Sequence, residues 1–197
     1  MLPAFETLIQ SFIENNVGVA DHFMGESQTA LLKKNLLSLY VDQHFSAAGT
    51  GNNTTVTHDR SVRSDLIYWL DRKHGNKQEN DFFDLIDKFI LHLNQSCYTG
   101  ITGYEFHYTI YEKDSFYKKH FDQFQNNNSR AFSMILYLNN GWVKKDGGEL
   151  CLHHANNMQL ISPLSGKCVF FKSSEIAHEV FKTEKPRLSI TGWLKTS

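Results

Sequence analysis

The sequence predicts an α+β fold, in which helices from the first half of the chain support a curled antiparallel sheet built from the second half. Apolar residues recur at helical spacing up to about residue 97, and from about residue 98 short alternating or apolar runs are separated by turn-like segments. Strands and helices do not alternate as βαβ units, which disfavours a parallel sheet. We predict one domain over residues 1–197, with helical support over about 1–97 and the β core over about 98–197.

Helical segments are predicted at three places in the first half. The first follows Pro3, the second begins at a Ser27 cap, and the third begins at an Asp81 cap. Between Ser46 and Asn80 the sequence is polar around the short segment SVRSDLIYWL, which predicts a long loop with strand pieces. The third helix carries an apolar stripe typical of a helix that covers a core: Phe82, Leu85, Ile86, Phe89, Ile90 and Leu93.

Composition and charge limit the class of function. The chain has 197 residues, of which 41% are hydrophobic and 21% charged, and its formal net charge is −1. This composition is typical of a globular protein. The clustered Lys and Arg that phosphate binding requires are not evident, so we expect no nucleic-acid partner.

The three cysteines, Cys97, Cys151 and Cys168, form no CxxC pair. Cys151 and Cys168 lie in apolar strands and are expected to be core thiols. The first residues lack a basic region ahead of an apolar run, and no stretch approaches the length of a membrane span. We therefore expect a cytoplasmic protein without a membrane partner.

The segment YEKDSFYKKHFDQF contains the first candidate metal ligands. His120 and Asp122 are separated by one residue, so their side chains point to the same side if the segment is extended. A lone HxD pair is weak evidence, because this spacing is common by chance. His178, just after the apolar strand KCVFFK, could bring a third ligand from a neighbouring strand. Two imidazoles and one carboxylate leave three adjacent positions open on an octahedral ion, the arrangement expected of non-haem Fe(II) oxygenases.

Such an enzyme also needs an anchor for a dicarboxylate. Arg187 stands nine residues beyond His178, at the start of the strand RLSITGWL, and a guanidinium can bind a carboxylate through two parallel hydrogen bonds. Alternation places two sets of residues on opposite faces of that strand: Arg187, Ser189, Thr191 and Trp193 on one, and Leu188, Ile190 and Leu194 on the other. A polar face that points inward would line a cavity.

Together these motifs resemble a known family, the prolyl 4-hydroxylase-like branch of the 2-oxoglutarate oxygenases. HFD, YLNNGW, GGEL, AHEV and RLSITGW stand in the family's order between about Arg63 and Trp193. RSDLIYWL is similar to a segment that leads into a mobile substrate-covering loop in bacterial relatives of the hypoxia-inducible-factor prolyl hydroxylases. YEKDSFY departs from the family, which usually has Pro-Gly after the tyrosine. The resemblance implies a double-stranded β-helix (jelly-roll) core, Fe(II) as cofactor, 2-oxoglutarate and dioxygen as cosubstrates, and ascorbate as a candidate reductant.

The resemblance also implies roles for individual residues. Metal binding and catalysis are expected of His120, Asp122 and His178. The 2-oxoglutarate pocket is expected to contain Arg187, Tyr137, Thr191 and Tyr111, and the substrate mouth Arg130, Asp65 and Trp193. Asp65 and Arg130 are expected to meet when a lid formed by the stretch 46–59 closes over the substrate.

The function so implied is hydroxylation of a prolyl residue in a protein or peptide, with release of succinate and CO₂. Two alternatives stay open: an oxygenase that acts on a free amino acid or other small molecule, and a non-catalytic barrel that only binds. The non-catalytic barrel is disfavoured because the three ligands and the arginine are all present. The long polar stretch 46–80 favours a peptide-sized substrate.

Several other polar residues have simpler interpretations. His153 and His154 are neighbours and point to opposite faces of a strand, so a joint metal site is not expected. His107 is interpreted as a satisfied histidine in a half-buried strand, the pair 147–148 as a glycine turn, and Arg63 as a solvated side chain.

Overall fold

The computed structural model describes residues 2–49, 57–123 and 128–196. In these ranges the helices are α1 (Leu2–Asn15), α2 (Glu26–Val41) and α3 (Lys77–Cys97). None of them is both long and apolar enough to cross a membrane. The strands are β1 (Val17–Ala20), β2 (Ser46–Ala47), β3 (Leu66–Trp69), β4 (Gly103–Tyr111), β5 (Tyr117–His120), β6 (Arg130–Tyr137), β7 (Leu150–His153), β8 (Met158–Ile161), β9 (Cys168–Lys172), β10 (Ala177–Val180) and β11 (Arg187–Lys195).

The strands form two antiparallel sheets. The larger has the order β1-β9-β6-β11-β4-β3-β2, and the smaller has the order β5-β10-β7-β8. Apolar side chains of both sheets meet in one cluster, which includes Tyr137 and Phe171 of the larger sheet and Leu150 and Leu152 of the smaller. Two sheets that enclose such a cluster, with helices packed on the larger one, confirm the predicted α+β fold and its double-stranded β-helix core.

The helices cover the outer face of the larger sheet through aromatic contacts. Phe82 of α3 meets Phe106 of β4 edge-on, with ring centroids 5.1 Å apart, and Phe5 of α1 lies 5.1 Å from Phe89 of α3. Fully burying one such side chain contributes roughly 1.5–3 kcal/mol. One face of β11 packs into the same core through Leu188, Ile190 and Leu194. The other face of β11 is therefore available to the site.

Two helix starts differ from the prediction. The N-cap of α2 is Gly25 rather than Ser27. The cap of α3 is Asn76 rather than Asp81, because the Asn76 side chain accepts the hydrogen bond from the Glu79 backbone N–H that would otherwise have no partner. Asp81 lies in the next turn, where it forms an ion pair with Lys77.

The first half of the chain contributes strands to the larger sheet as well as helices. β1 pairs with β9, with Val17 opposite Phe171, and β3 pairs with β4, with Leu66 opposite Ile110. Gly18 permits β1 to lie close under α1, because a Cβ at this position would come within 2.5 Å of the Leu8 carbonyl oxygen. The N-terminal segment is therefore part of the sheet that holds the site.

Candidate active site

A cavity of about 770 Å³ is lined by residues of both sheets. Tyr137 lies beside it and is fully buried, with its ring 5.0 Å from the guanidinium carbon of Arg187. The predicted faces of β11 are confirmed, since its polar face lines the cavity and its apolar face lies in the core. Nine of the ten predicted site residues line the cavity: Asp65, Tyr111, His120, Asp122, Arg130, His178, Arg187, Thr191 and Trp193.

β5 and β10 position the three candidate metal ligands. The strands pair with His178 directly opposite His120, and the two imidazole rings lie 4.2 Å apart. Asp122 follows β5, and its carboxylate oxygens lie 3.5 Å from Nε2 of His120 and 3.5 Å from Nε2 of His178. Ligand atoms in adjacent positions of an octahedron, each about 2.1 Å from the ion, are roughly 3.0 Å apart. A small inward movement would therefore let these three groups bind one divalent ion.

Backbone carbonyls orient both imidazole rings. Nδ1 of His120 lies 2.8 Å from the Lys118 oxygen, and Nδ1 of His178 lies 3.2 Å from the Ile176 oxygen. We therefore assign the ring proton to Nδ1, which leaves the lone pair of each Nε2 available to a metal ion. Burial lowers the pKa of His178 to about 4, so this ring is neutral and ready to bind a metal near neutral pH.

Ser133 of β6 supports the carboxylate ligand. Its Oγ donates a 2.6 Å hydrogen bond to Oδ2 of Asp122 and lies 2.9 Å from Oγ of Ser173. Burial alone would raise the pKa of Asp122, but at acidic pH, where His178 is protonated, its charge together with His120 and the Ser133 hydroxyl stabilises the carboxylate and holds the pKa of Asp122 well below the usual range. The sequence analysis did not predict a role for Ser133. Because side chains alternate along a strand, Ser133 lies on the same face of β6 as Tyr137, and this alternation could have indicated it.

Arg187 is buried, with 2% of its surface exposed. Its Nε donates a 2.8 Å hydrogen bond to the Gly148 carbonyl, and its guanidinium carbon lies 4.9 Å from the ring centroid of Tyr111. A Cβ at Gly148 would come within 3.1 Å of Cδ of Arg187, and Gly148 has a φ of +67°. The GGEL glycine is therefore more than the turn residue predicted from sequence, because it lets the backbone approach Arg187 closely.

These groups fit a small dicarboxylate. The Arg187 Nε–H donates to the neutral carbonyl of Gly148, and the buried hydroxyl of Tyr137 donates to no group in the described part of the chain. Burial raises the pKa of Tyr137 to about 12, so the hydroxyl remains a donor at neutral pH. A buried cation beside a buried free donor requires an anionic acceptor, and a carboxylate supplies one. Next to the three candidate metal ligands, this pocket is suited to 2-oxoglutarate and a divalent ion.

At the cavity mouth, Asp65 and Arg130 each bind another residue, and their pairing on closure of the lid stays a prediction. Arg130 binds Glu105 at 2.8 Å, and its guanidinium carbon lies 3.4 Å from the ring centroid of Trp193. Both carboxylate oxygens of Asp65 are bound by Arg63, at 2.8 and 2.6 Å. Arg63 is two residues from Asp65 and on the same side of an extended segment, so it reaches both oxygens at once.

Arg63 is also not the solvated side chain that the sequence suggested. Its side chain is 13% exposed, and its guanidinium carbon lies 4.2 Å from the ring centroid of Tyr117, which stacks on His120 with centroids 3.5 Å apart. The Asp65–Arg63 pair thus supports the ring of a candidate metal ligand through Tyr117. The spacing of Arg63 and Asp65 equals that of His120 and Asp122, and could have indicated this pairing.

His107 of β4 is satisfied, as predicted, and it is 3% exposed. Its Nδ1 lies 2.9 Å from Oγ1 of Thr109, and its ring meets that of Trp69 at a centroid distance of 5.0 Å. Burial lowers the pKa of His107 to about 4. Because it lines the cavity, it belongs to the wall on the substrate side.

The turn in YEKDSFY forms without the family's Pro-Gly. Asp114 adopts a φ of +70°, its backbone N–H donates to the Thr183 carbonyl at 2.7 Å, and its carboxylate binds Lys182 at 2.6 Å. Asp is among the few residues other than glycine that visit this conformation. Tyr111, which precedes the turn, lies in the cavity wall.

The predicted lid over the stretch 46–59 is described in part, because residues 50–56 lie outside the described residues. Ser46 and Ala47 pair with β3, and both line the cavity together with Gly49 and His58. The described ends of the stretch therefore border the cavity, and closure of the lid stays a prediction.

The family model described as "2OG-Fe(II) oxygenase superfamily" matches residues 106–195 of the chain. This span contains the three candidate metal ligands and Arg187. It also contains Ser133, Tyr137 and Thr191, so the match covers most of the cavity wall described above.

A hypoxia-inducible factor prolyl hydroxylase from Caenorhabditis elegans is 29% identical over 200 residues, which cover 95% of this chain but 28% of the relative's length. A crystal structure of a prolyl-4-hydroxylase from Pseudomonas putida matches with a TM-score of 0.88 and 26% identity, over 98% of this chain and 99% of that chain. A prolyl hydroxylase from Trichoplax adhaerens, solved in complex with a hypoxia inducible factor oxygen degradation domain peptide fragment, has a TM-score of 0.85 and 24% identity, over 97% and 88% of the chains. At that identity the last match supports the fold alone.

Proposed function

We propose that this chain is a prolyl 4-hydroxylase-like 2-oxoglutarate–Fe(II) oxygenase that hydroxylates a prolyl residue of a protein substrate, with release of succinate and CO₂. The observation that carries the proposal is the shared cavity, in which the His120, Asp122 and His178 side chains converge next to the buried guanidinium of Arg187.

The three converging side chains would hold Fe(II), and Arg187 with the Tyr137 hydroxyl would bind the distal carboxylate of 2-oxoglutarate. Thr191 and Tyr111 would line the same pocket. When bound, the iron and 2-oxoglutarate supply the oxidation by dioxygen, and the chemistry belongs to these groups rather than to the protein.

The chain itself contributes position and environment. The backbone acceptors of the two histidine rings and the Ser133 hydroxyl fix the ligand atoms before the metal arrives, which lowers the cost of assembling the site. The low pKa of Asp122 keeps the carboxylate ionised, and the low pKa of His178 keeps its ring unprotonated. Apolar side chains such as Ile135 and Leu150 in the wall exclude water from the reacting groups.

A prolyl substrate is supported by the cavity mouth. Trp69 lines the cavity with 47% of its surface exposed, and an exposed aromatic side chain can pack against the apolar pyrrolidine ring. Arg130 and Glu105 next to Trp193 offer a charged hydrogen-bonding rim for a peptide backbone.

The substrate class can be tested by mapping added oxygen. The Fe(II)-loaded full chain, 2-oxoglutarate and host-cell extract are incubated in air, and peptides and small molecules are analysed by mass spectrometry. We expect one added oxygen atom on a prolyl residue of at least one protein with the wild-type chain, and none with Asp122→Ala. Hydroxylation of free proline or another small molecule, with the proteins unmodified, would overturn the protein-substrate proposal while leaving the oxygenase intact.

We also propose a cytoplasmic location. Cys97, Cys151 and Cys168 are all free thiols, which suits a reducing compartment. Cell fractionation with an antibody against the chain tests this, and recovery from an oxidising compartment would contradict it.

A further inference from the structure

The outer face of the smaller sheet carries a second group of metal-ligating side chains. Cys151 and His153 lie two residues apart on β7 and therefore share a face, and Glu179 of β10 stands directly opposite Cys151. His178 precedes Glu179 on β10 and faces the other way, into the cavity. The second group therefore lies behind the candidate iron site, on the reverse side of the same strand.

The ligand atoms of this group are close enough to share one ion. They all lie within 4.8 Å of one another, with Nε2 of His153 3.8 Å from Sγ of Cys151 and 2.8 Å from Oε1 of Glu179. In a tetrahedral zinc site, the known Zn–S, Zn–N and Zn–O lengths place neighbouring sulfur and nitrogen roughly 3.6 Å apart, and neighbouring nitrogen and oxygen roughly 3.3 Å apart. The sulfur–nitrogen distance already fits. The nitrogen–oxygen distance would widen by roughly 0.5 Å, which small side-chain rotations can supply.

We infer that Cys151, His153 and Glu179 form a second metal site that binds Zn²⁺. One thiolate, one imidazole and one carboxylate are a ligand set typical of zinc, and the thiolate favours zinc over Fe(II). Three protein ligands leave the fourth position for a solvent molecule. The site is therefore distinct in chemistry from the cavity site, whose three candidate ligands include no sulfur.

The competing explanation is a plain surface pair between His153 and Glu179. Such a pair accounts for their 2.8 Å contact, but it gives no role to the thiol beneath them. Cys151 is 0% exposed, whereas the side chains of His153 and Glu179 are 17% and 27% exposed. The cluster thus has a shielded sulfur covered by two groups that solvent can reach, and an ion could enter through those two groups.

Cobalt spectroscopy separates the two sites, because a sulfur-to-Co²⁺ charge-transfer band in the near ultraviolet reports thiolate ligation. The full chain is stripped with chelator and titrated anaerobically with Co²⁺ and then Zn²⁺. We expect two equivalents of Co²⁺ per chain, a charge-transfer band, and loss of that band on addition of Zn²⁺. Asp122→Ala, which disrupts the cavity site, should retain the band, and Cys151→Ser should lose the band and one equivalent of metal.

The other two cysteines provide matched controls, since Cys97→Ser and Cys168→Ser should keep the band. Because Cys151 is buried and its variant could fail to fold, His153→Gln and Glu179→Gln give an independent test at partly exposed positions. Each should weaken Co²⁺ binding at the thiolate site at least tenfold, with an unchanged circular dichroism spectrum. Absence of the band in the wild-type chain, its survival in a folded Cys151→Ser, or unchanged affinity in both Gln variants would overturn the inference.

Discussion

Removal of the Ser133 hydroxyl should weaken metal binding without removing a ligand. Ser133 is fully buried, and its Oγ donates to the Asp122 carboxylate at 2.6 Å. A hydrogen bond to a charged group contributes roughly 1.5–3 kcal/mol, and each 1.4 kcal/mol is about tenfold in an equilibrium constant. Ser133→Ala should therefore raise the Fe(II) dissociation constant roughly 10- to 100-fold, which is also the range seen when outer hydrogen-bond partners of metal ligands are lost.

The assay is an anaerobic competition of the full chain with a coloured Fe(II) chelator. Ser115→Ala is the matched control, since Ser115 is a buried serine whose hydroxyl donates to a backbone carbonyl, Ser64, rather than to Asp122. We expect the control to lower the free energy of unfolding by about 1 kcal/mol and to leave Fe(II) affinity unchanged. Fe(II) affinity of Ser133→Ala within about twofold of wild type would refute the role assigned to this hydroxyl.

Three further predictions concern the cavity wall. Arg187→Met should raise the 2-oxoglutarate dissociation constant at least roughly tenfold in isothermal titration, because a charged partner of the carboxylate is lost. Arg72→Met, which removes an exposed ion pair, should leave that dissociation constant unchanged. An equal effect of the two substitutions would contradict the assigned pocket. Arg63→Ala should lower the free energy of unfolding, measured by urea denaturation, by about 3–5 kcal/mol, because the Asp65 side chain is 0% exposed and would lose its ionic partner. A loss below about 1 kcal/mol would count against a stabilising role of that ion pair. The pKa of His107 is about 4 in the folded protein against 6.5 as its ordinary value. The unfolded chain therefore takes up the proton first, and the free energy of unfolding should fall as the pH drops from about 6.5 to about 4. His107→Gln should reduce this loss by up to about 3 kcal/mol over the window, and an unchanged loss would exclude His107 as its source.

The parts of the site that the sequence could predict are those governed by alternation along single strands. Arg187 and Thr191 share the cavity face of β11, and His120 and Asp122 converge, because side chains two residues apart in an extended chain lie on one side. The resemblance to a known family then indicated which of these strand faces carries the site residues. The two-residue alternation along strands and the order of the motifs were therefore enough to predict which side chains face the cavity.

Contacts between separate segments were harder to predict. Asp65 has two arginines in the same cavity wall. The two-residue spacing was a signal for its pairing with Arg63, but the pairing of Arg130 with Glu105 depends on positions in space. Ser133 and Gly148 act through a hydrogen bond and a close backbone approach, and neither leaves a charge pattern in the sequence. Such choices depend on the packing of strands that are distant in the chain.

The most direct test of the central claim, that one cavity holds Fe(II) through His120, Asp122 and His178 while Arg187 holds 2-oxoglutarate, is an anaerobic absorption titration. The full chain is loaded with Fe(II), titrated with 2-oxoglutarate, and followed for the visible charge-transfer band that forms when an α-keto acid binds iron. We expect the band in the wild-type chain, its absence in Asp122→Ala, and a 2-oxoglutarate midpoint at least roughly tenfold higher in Arg187→Met. No band in the wild-type chain, or an undiminished band in Asp122→Ala, would contradict the claim.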